Sequence, residues 1–282
     1  MKPNAYYNGV FTALENIRIP LTDRAVFFGD GIYDAAIGRN GKIFMLEEHL
    51  DRFLANAKAV DIPLKMSREE LREILLHLVR HSPYECYFVY FQLTRYSEKR
   101  THAYTEANKS NLLATVTEQP MPNIEKALKL TLAKDIRYEM CNVKTLNLLP
   151  AVLASRKALL LGKDEAVFHR NGTVTECAHS NIHIISNSVL ITHPLDNCIL
   201  PGISRGHMIE VARRLGVGVI ERAFSVYELF NADEVLVTSS SKLASPVLSV
   251  DYRELPCPKD GIGRKICEEM LADFVRLTEK EA

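Results

Sequence analysis

Apolar residues recur along this chain in two rhythms, one of period two and one near 3.6, and each predicts its own elements. Three pairs of short apolar runs meet at Asn-Gly: 5–14 at Asn8-Gly9, 37–45 at Asn40-Gly41 and 166–176 at Asn171-Gly172. Asn-Gly tolerates the left-handed backbone of a tight hairpin turn, so each pair reads as two antiparallel strands. The helical rhythm is clearest over 46–60, where Leu46, Leu50, Phe53, Leu54 and Ala57 share a face. Ser67 and Glu70 then form a capping box that opens a helix through 81. Further strands are expected at 86–96 (Tyr87, Phe88, Val89, Tyr90, Phe91), 112–117, 128–135, 189–193 and 235–238, the last running into Ser239, Ser240 and Ser241. Helices are expected at 151–161, stopped by Gly162, at 204–215 with Ser204 as its cap after Pro201-Gly202, and from Gly261 onward.

This mixture predicts an α+β chain, and 282 residues suit two domains better than one. Two prolines, Pro120 and Pro122, mark a linker at 119–124. It separates a small N-terminal domain, 1–118, from a larger C-terminal one, 125–282. Lys+Arg and Asp+Glu are both 35, so no net field draws the chain to nucleic acid or an anionic membrane. No apolar run reaches membrane-spanning length, and the polar start Met1-Lys2-Pro3-Asn4 lacks a signal-peptide core. The six cysteines include no Cys-x-x-Cys pair, which argues for reduced thiols in the cytoplasm and against a zinc site.

The candidate chemistry centres on 138–150, where Lys144 is followed by apolar Leu146, Leu148 and Leu149 at the junction of an extended segment and a helix. A desolvated lysine loses proton affinity, and a neutral amine can hold an aldehyde as a Schiff base. Glu176 stands on the outgoing strand of the 166–176 hairpin. Gly29-Asp30-Gly31 is not a dinucleotide loop, because Asp34 occupies the third glycine position and no strand–turn–helix surrounds it. It reads as a tight bend that presents Tyr33 from the following strand.

The segments Lys-Thr-Leu-Asn-Leu-Leu-Pro (144–150) and His-Arg-Asn-Gly-Thr-Val-Thr-Glu (169–176) closely resemble the fold type IV pyridoxal-phosphate enzymes. The wording is most similar to the D-amino acid aminotransferase branch, and the likeness runs with gaps from about Tyr7 to Val250. The resemblance implies pyridoxal 5′-phosphate as cofactor, carried by Lys144, with Glu176 facing its pyridine nitrogen. It implies Arg52, Ile203, Ser204 and Ser240 as phosphate ligands; for the last, a slip to Ser239 or Ser241 stays open. Tyr33, Arg100 and His102 match the residues that receive a substrate carboxylate, the Arg-x-His pair reaching across a subunit boundary. The implied activity is transamination of D-amino acids with 2-oxo acids, D-alanine and 2-oxoglutarate by default, in a homodimer. A branched-chain aminotransferase and an aminodeoxychorismate lyase are alternatives on the same fold, and a cofactor-free binding module is the alternative outside enzymes. One departure stands out: Cys177-Ala178-His179 replaces the small and serine residues of the D-specific branch.

Overall fold

The computed structural model describes residues 3–104 and 109–280. They divide into two compact units, the first Met1–Met121 with Val143–Asn147 and Val275–Ala282, the second Pro122–Asn142 with Leu148–Phe274. The segment bearing Lys144 thus clusters with the N-terminal sheet. Tyr33 N–H donates to Lys144 O at 2.9 Å and Leu146 N–H to Gly31 O at 3.0 Å, and Ile32 bridges Thr145.

In the first unit six antiparallel strands lie in the order Val10–Thr12, Ala5–Tyr7, Asn111–Glu118, Cys86–Thr94, Gly31–Arg39, Lys42–Ile43. The predicted turns carry left-handed backbone, with φ of 45° and 97° at Asn8-Gly9 and 54° and 79° at Asn40-Gly41. Along Cys86–Thr94, Tyr87, Val89, Phe91 and Leu93 are buried while Phe88, Tyr90 and Gln92 are only half-buried, so strand alternation separates two faces. The fully buried face joins one core with Leu50, Phe53 and Ala57 of helix Leu46–Ala59 and Leu71, Leu75 and Leu78 of helix Arg68–His81. That second helix carries the Ser67–Glu70 capping box.

The second unit is built on ten strands. Their path is Gly218–Glu221, Val189–Thr192, Asn181–Ser186, Glu234–Ser239, Leu243–Val250, Leu128–Lys134, Glu165–Arg170, Thr173–Cys177, Phe224–Ser225, with Arg253–Glu254 paired to Leu243–Val250. Parallel neighbours need a long connection. Helix Leu149–Leu160 lies between Leu128–Lys134 and Glu165–Arg170, and helix Ile203–Arg214 between Val189–Thr192 and Gly218–Glu221. No helix among the described residues is long and apolar enough to cross a membrane.

Two local expectations need correction. The segment after Asp23 is not only a bend: Arg24–Phe28 is a short helix, with Asp23 accepting from Ala25 N–H and Gly29 closing it in the left-handed region. Five residues are too few to show a helical period. Ser204 is not the cap of its helix either. The helix starts at Ile203, Gly202 is the capping position, and Ser204 lies within the first turn. Gly202 belongs there because a Cβ would come within 2.1 Å of Asn181 Oδ1.

Candidate active site

The first unit gathers one group of chemistry-bearing residues on strand Gly31–Arg39. Strand alternation sends Tyr33 to one face and Asp34 to the other. Tyr33 stacks on Tyr90 with ring centroids 5.5 Å apart, and the half-buried Lys144 brings Nζ to 4.3 Å from the Tyr33 centroid. Asp34 lies between Ile32 and Ala36 on the core face and is fully buried. There it meets helix Leu46–Ala59: Arg52 donates from Nε to Oδ2 at 2.8 Å and from Nη2 to Oδ1 at 2.7 Å. His49 Nδ1 lies 2.7 Å from the same Oδ1. Burial alone would raise the Asp34 pKa, yet the Arg52 charge and His49 hold it well below the carboxylate range. Burial lowers the His49 pKa, which favours a neutral ring donating from Nδ1. The spacing of His49 and Arg52 on one helix face is visible in the sequence; their shared partner on a strand is not.

The Arg100-Thr101-His102 loop belongs to the same unit and is exposed. Its backbone is gripped from inside, since the buried Arg24 donates to Thr101 O at 2.7 Å and His102 O at 3.0 Å. The Arg100 guanidinium lies 5.2 Å from the Phe28 centroid, and the His102 ring 5.4 Å from the same ring. Both side chains therefore rest on the short helix that sequence periodicity does not reveal.

In the second unit the antiparallel pairing of Glu165–Arg170 with Thr173–Cys177 displays Glu176, nearly buried. Its carboxylate accepts from Arg137 Nη1, from Asn181 Nδ2 at 3.1 Å and from Leu200 N–H at 3.0 Å. Arg137 is itself fixed by the Asp135 fork, Nε and Nη2 both at 2.9 Å. Neither Arg137 nor Asn181 is among the sequence candidates. Arg137 lies seven positions before Lys144 with nothing local to single it out.

Asn181 ties Glu176 to the helix beyond, because its Nδ2 also donates to Leu200 O at 3.0 Å. Helix Ile203–Arg214 then opens with no side-chain cap, leaving first-turn amides beside the buried Ser204. Ile203 and Ser204 are thus within four residues of the loop that Glu176 holds. Ser240 sits at the turn ending Glu234–Ser239, and the hydroxyls on either side of it, Ser239 and Ser241, lie 3.4 Å apart. The departing segment is accommodated by Glu165, a fully buried carboxylate. It accepts from His179 N–H at 2.8 Å, from Ser180 Oγ at 2.7 Å and from Lys242 Nζ at 3.3 Å. The His179 ring approaches it at 3.2 Å while staying half exposed.

The fold is that of the type IV aminotransferases, α+β in two units. A branched-chain aminotransferase from the archaeon Thermoproteus uzoniensis, solved with norvaline, superposes with a TM-score of 0.88 at 21% identity, over 97% of each chain. The branched-chain amino acid aminotransferase of Escherichia coli gives 0.89 at 21% identity, over 100% of this chain and 97% of that one. In sequence, a D-alanine aminotransferase of Staphylococcus aureus (strain N315) is 36% identical over 280 residues, 98% of both chains. The model of the amino-transferase class IV family matches residues 31–250. The chain belongs to the class IV aminotransferases, and it is a transaminase.

Class IV aminotransferases use pyridoxal 5′-phosphate, and the donors within each unit suit parts of that group. The first unit holds an amine at Lys144 and a buried guanidinium at Arg52; the second holds a fixed carboxylate at Glu176 and an uncapped helix start with Ser204 beside it. Backbone amides at a helix start suit phosphate oxygens.

Proposed function

We propose that this transaminase acts on D-amino acids and 2-oxo acids, with D-alanine and 2-oxoglutarate as the reference pair. Support comes from the D-alanine aminotransferase of S. aureus, similar over nearly the whole length, and from the exposed Arg100-x-His102 loop, which carries the reading. Bound pyridoxal 5′-phosphate supplies an aldehyde that takes up the amino group and a ring that withdraws electrons from the substrate Cα. In this reading Lys144 holds the cofactor and moves the proton at Cα. Glu176 holds a proton at the ring nitrogen, with Arg137, Asn181 and Leu200 N–H fixing its carboxylate. Arg52, Ile203, Ser204 and Ser240 bind the phosphate. Tyr33, Arg100 and His102 orient the substrate carboxylate, and this placement decides which face of Cα presents its hydrogen to Lys144.

The deciding assay follows pyruvate from D- and L-alanine with 2-oxoglutarate. D-Alanine is expected to react and L-alanine not; preference for L-leucine, or pyruvate release without an acceptor, rejects D-specific transamination. Arg100→Ala is expected to raise KM for D-alanine by about ten- to a hundredfold with cofactor binding intact, because a charge-assisted contact to carboxylate is worth roughly 1.5–3 kcal/mol.

The same reading includes a homodimer, acting in the cytoplasm. Helix Leu149–Leu160 supports the first point: Leu149, Val152, Leu153, Leu159 and Leu160 are all more than half exposed. Their spacing puts them on one face, opposite the buried Ala151 and Ala158. Apolar residues clustered in this way, around the exposed Arg156, mark an interaction surface, and a second copy of the chain is the partner proposed here. Leu153→Glu with Leu160→Glu is expected to shift the mass in sedimentation equilibrium from dimer to monomer. An unchanged dimer, or a wild type already monomeric, rules this face out. For the compartment, the support is that all six cysteines are free thiols.

A further inference from the structure

The Gly29-Asp30-Gly31 motif takes no part in the roles assigned above, yet its carboxylate is the junction of a buried network. Asp30 Oδ2 accepts from Arg24 Nε at 2.8 Å and from Arg95 Nε at 3.0 Å. Both arginines are almost fully buried. Each then reaches toward the segment that carries Arg100 and His102. Arg24 holds its beginning and middle, donating to Glu98 Oε1 at 3.0 Å as well as to the carbonyls of Thr101 and His102. Arg95 holds its far end, its guanidinium lying 3.8 Å from the Tyr104 centroid. Arg95 is in turn fixed by the carbonyls of Val60 and Asp61, both at 2.6 Å, and Tyr104 donates to Asp61 Oδ2 at 2.7 Å.

The two glycines explain why the carboxylate can sit there. Gly29 closes helix Arg24–Phe28 with a φ of 63°, a conformation that strains other residues. A Cβ on Gly31 would stand 2.8 Å from Leu93 O, so only glycine lets the chain approach the end of strand Cys86–Thr94, from which Arg95 follows. Two guanidinium ions converge on one carboxylate, and without it their charges would repel across a poorly solvated space.

We infer that Asp30 is a positioning residue for substrate recognition: through Arg24 and Arg95 it sets the place of the loop bearing Arg100 and His102. The inference rests on the reading of those two residues as the receivers of the substrate carboxylate. Asp30 is spent on Arg24 and Arg95 and is given no contact with substrate or cofactor, so its removal acts on KM through the loop and leaves the chemistry at Lys144 in place.

The test compares the holoenzyme with Asp30→Asn, Asp30→Glu, Arg100→Ala and the Asp30→Asn/Arg100→Ala double variant. Asp30→Asn is expected to raise KM for D-alanine roughly tenfold with kcat within about twofold, the range through which residues remote from a ligand modulate its site. The visible absorption of bound cofactor stays unchanged, and amide hydrogen exchange over 98–104 accelerates. Asp30→Glu recovers most of the lost KM. The double variant has the KM of Arg100→Ala alone, since both changes disable the same contact. If Arg100→Ala raises KM and Asp30→Asn does not, or if the two effects multiply, the inference falls while the reading of the loop stands. If Arg100→Ala itself leaves KM unchanged, the reading of the loop falls, and the inference with it. Should Asp30→Asn not fold, Arg24→Lys carries the same test, because it keeps a charge beside Asp30 but gives up the grip on two carbonyls.

Discussion

Lys144→Ala is expected to lower kcat by at least ~10^4-fold, the scale on which enzymes lose rate when their nucleophile is removed. In the proposed reading the amine is the reacting group, and the neighbouring side chain, Tyr33, offers a ring face that cannot replace it. Lys144→Arg is expected to be equally inactive: it keeps the positive charge over Tyr33 but has no amine that can be made neutral and nucleophilic. Borohydride reduction of the wild type followed by peptide mapping should place the cofactor on the peptide containing Lys144, and neither variant should be labelled. Labelling at another lysine, or turnover within a hundredfold of wild type, contradicts the assignment. Mixing Lys144→Ala subunits with Arg100→Ala subunits adds a test of the loop's reach. If Arg100 serves its partner's site, each mixed dimer regains one site with both residues, and activity returns at low D-alanine. If it serves its own site, no such recovery appears.

Asp34→Ala is expected to destabilise the first unit by about 3–5 kcal/mol, the loss typical of breaking a buried ion pair from one side. The change removes the bidentate partner of the buried Arg52 and the carboxylate beside His49. At this chain length the loss corresponds to a drop in Tm on the order of 10 °C by calorimetry. Replacing both charges, Asp34→Ala with Arg52→Met, is expected to recover a large share of the stability, because a neutral pair of suitable volume carries no desolvation penalty. A double variant as unstable as the single one would show that the ion pair is not the cause. The pH dependence has a definite sign. The folded-state pKa of Asp34 is depressed, so its contribution is fully present above the unfolded value, about pH 4, and is lost as pH falls through the folded value. The gap between wild type and Asp34→Ala is therefore widest at neutral pH and narrows in acid.

Much of the scaffold was legible because its signals are local. Asn8-Gly9, Asn40-Gly41 and Asn171-Gly172 demand left-handed backbone wherever they occur, and all six residues adopt it. Ser67 and Glu70 satisfy each other's backbone within one helical turn, so their box needs no distant partner. Family and cofactor were legible from the two short segments around Lys144 and Glu176, where spacing along the chain carries the pattern. Helix Arg24–Phe28 escaped because periodicity needs more than five residues, though Asp23 and Gly29 mark its ends.

Pairings between distant elements were decided only by tertiary structure. Asp34 reads as an ordinary strand residue until helix Leu46–Ala59 lies against the sheet and turns His49 and Arg52 toward it. Arg137 acquires its meaning from Asp135 on one side and Glu176 on the other, 39 positions away. Asp30 joins Arg24, six positions before it, to Arg95, 65 positions after it, and nothing between them signals that junction. The physical reason is common to all three. A buried charge must find its counter-charge where the fold brings one within hydrogen-bond reach, and that meeting depends on which faces pack together. The residues themselves determine the Asn-Gly turns and the Ser67 capping box; the packing of sheet, helix and loop determines which buried charges meet.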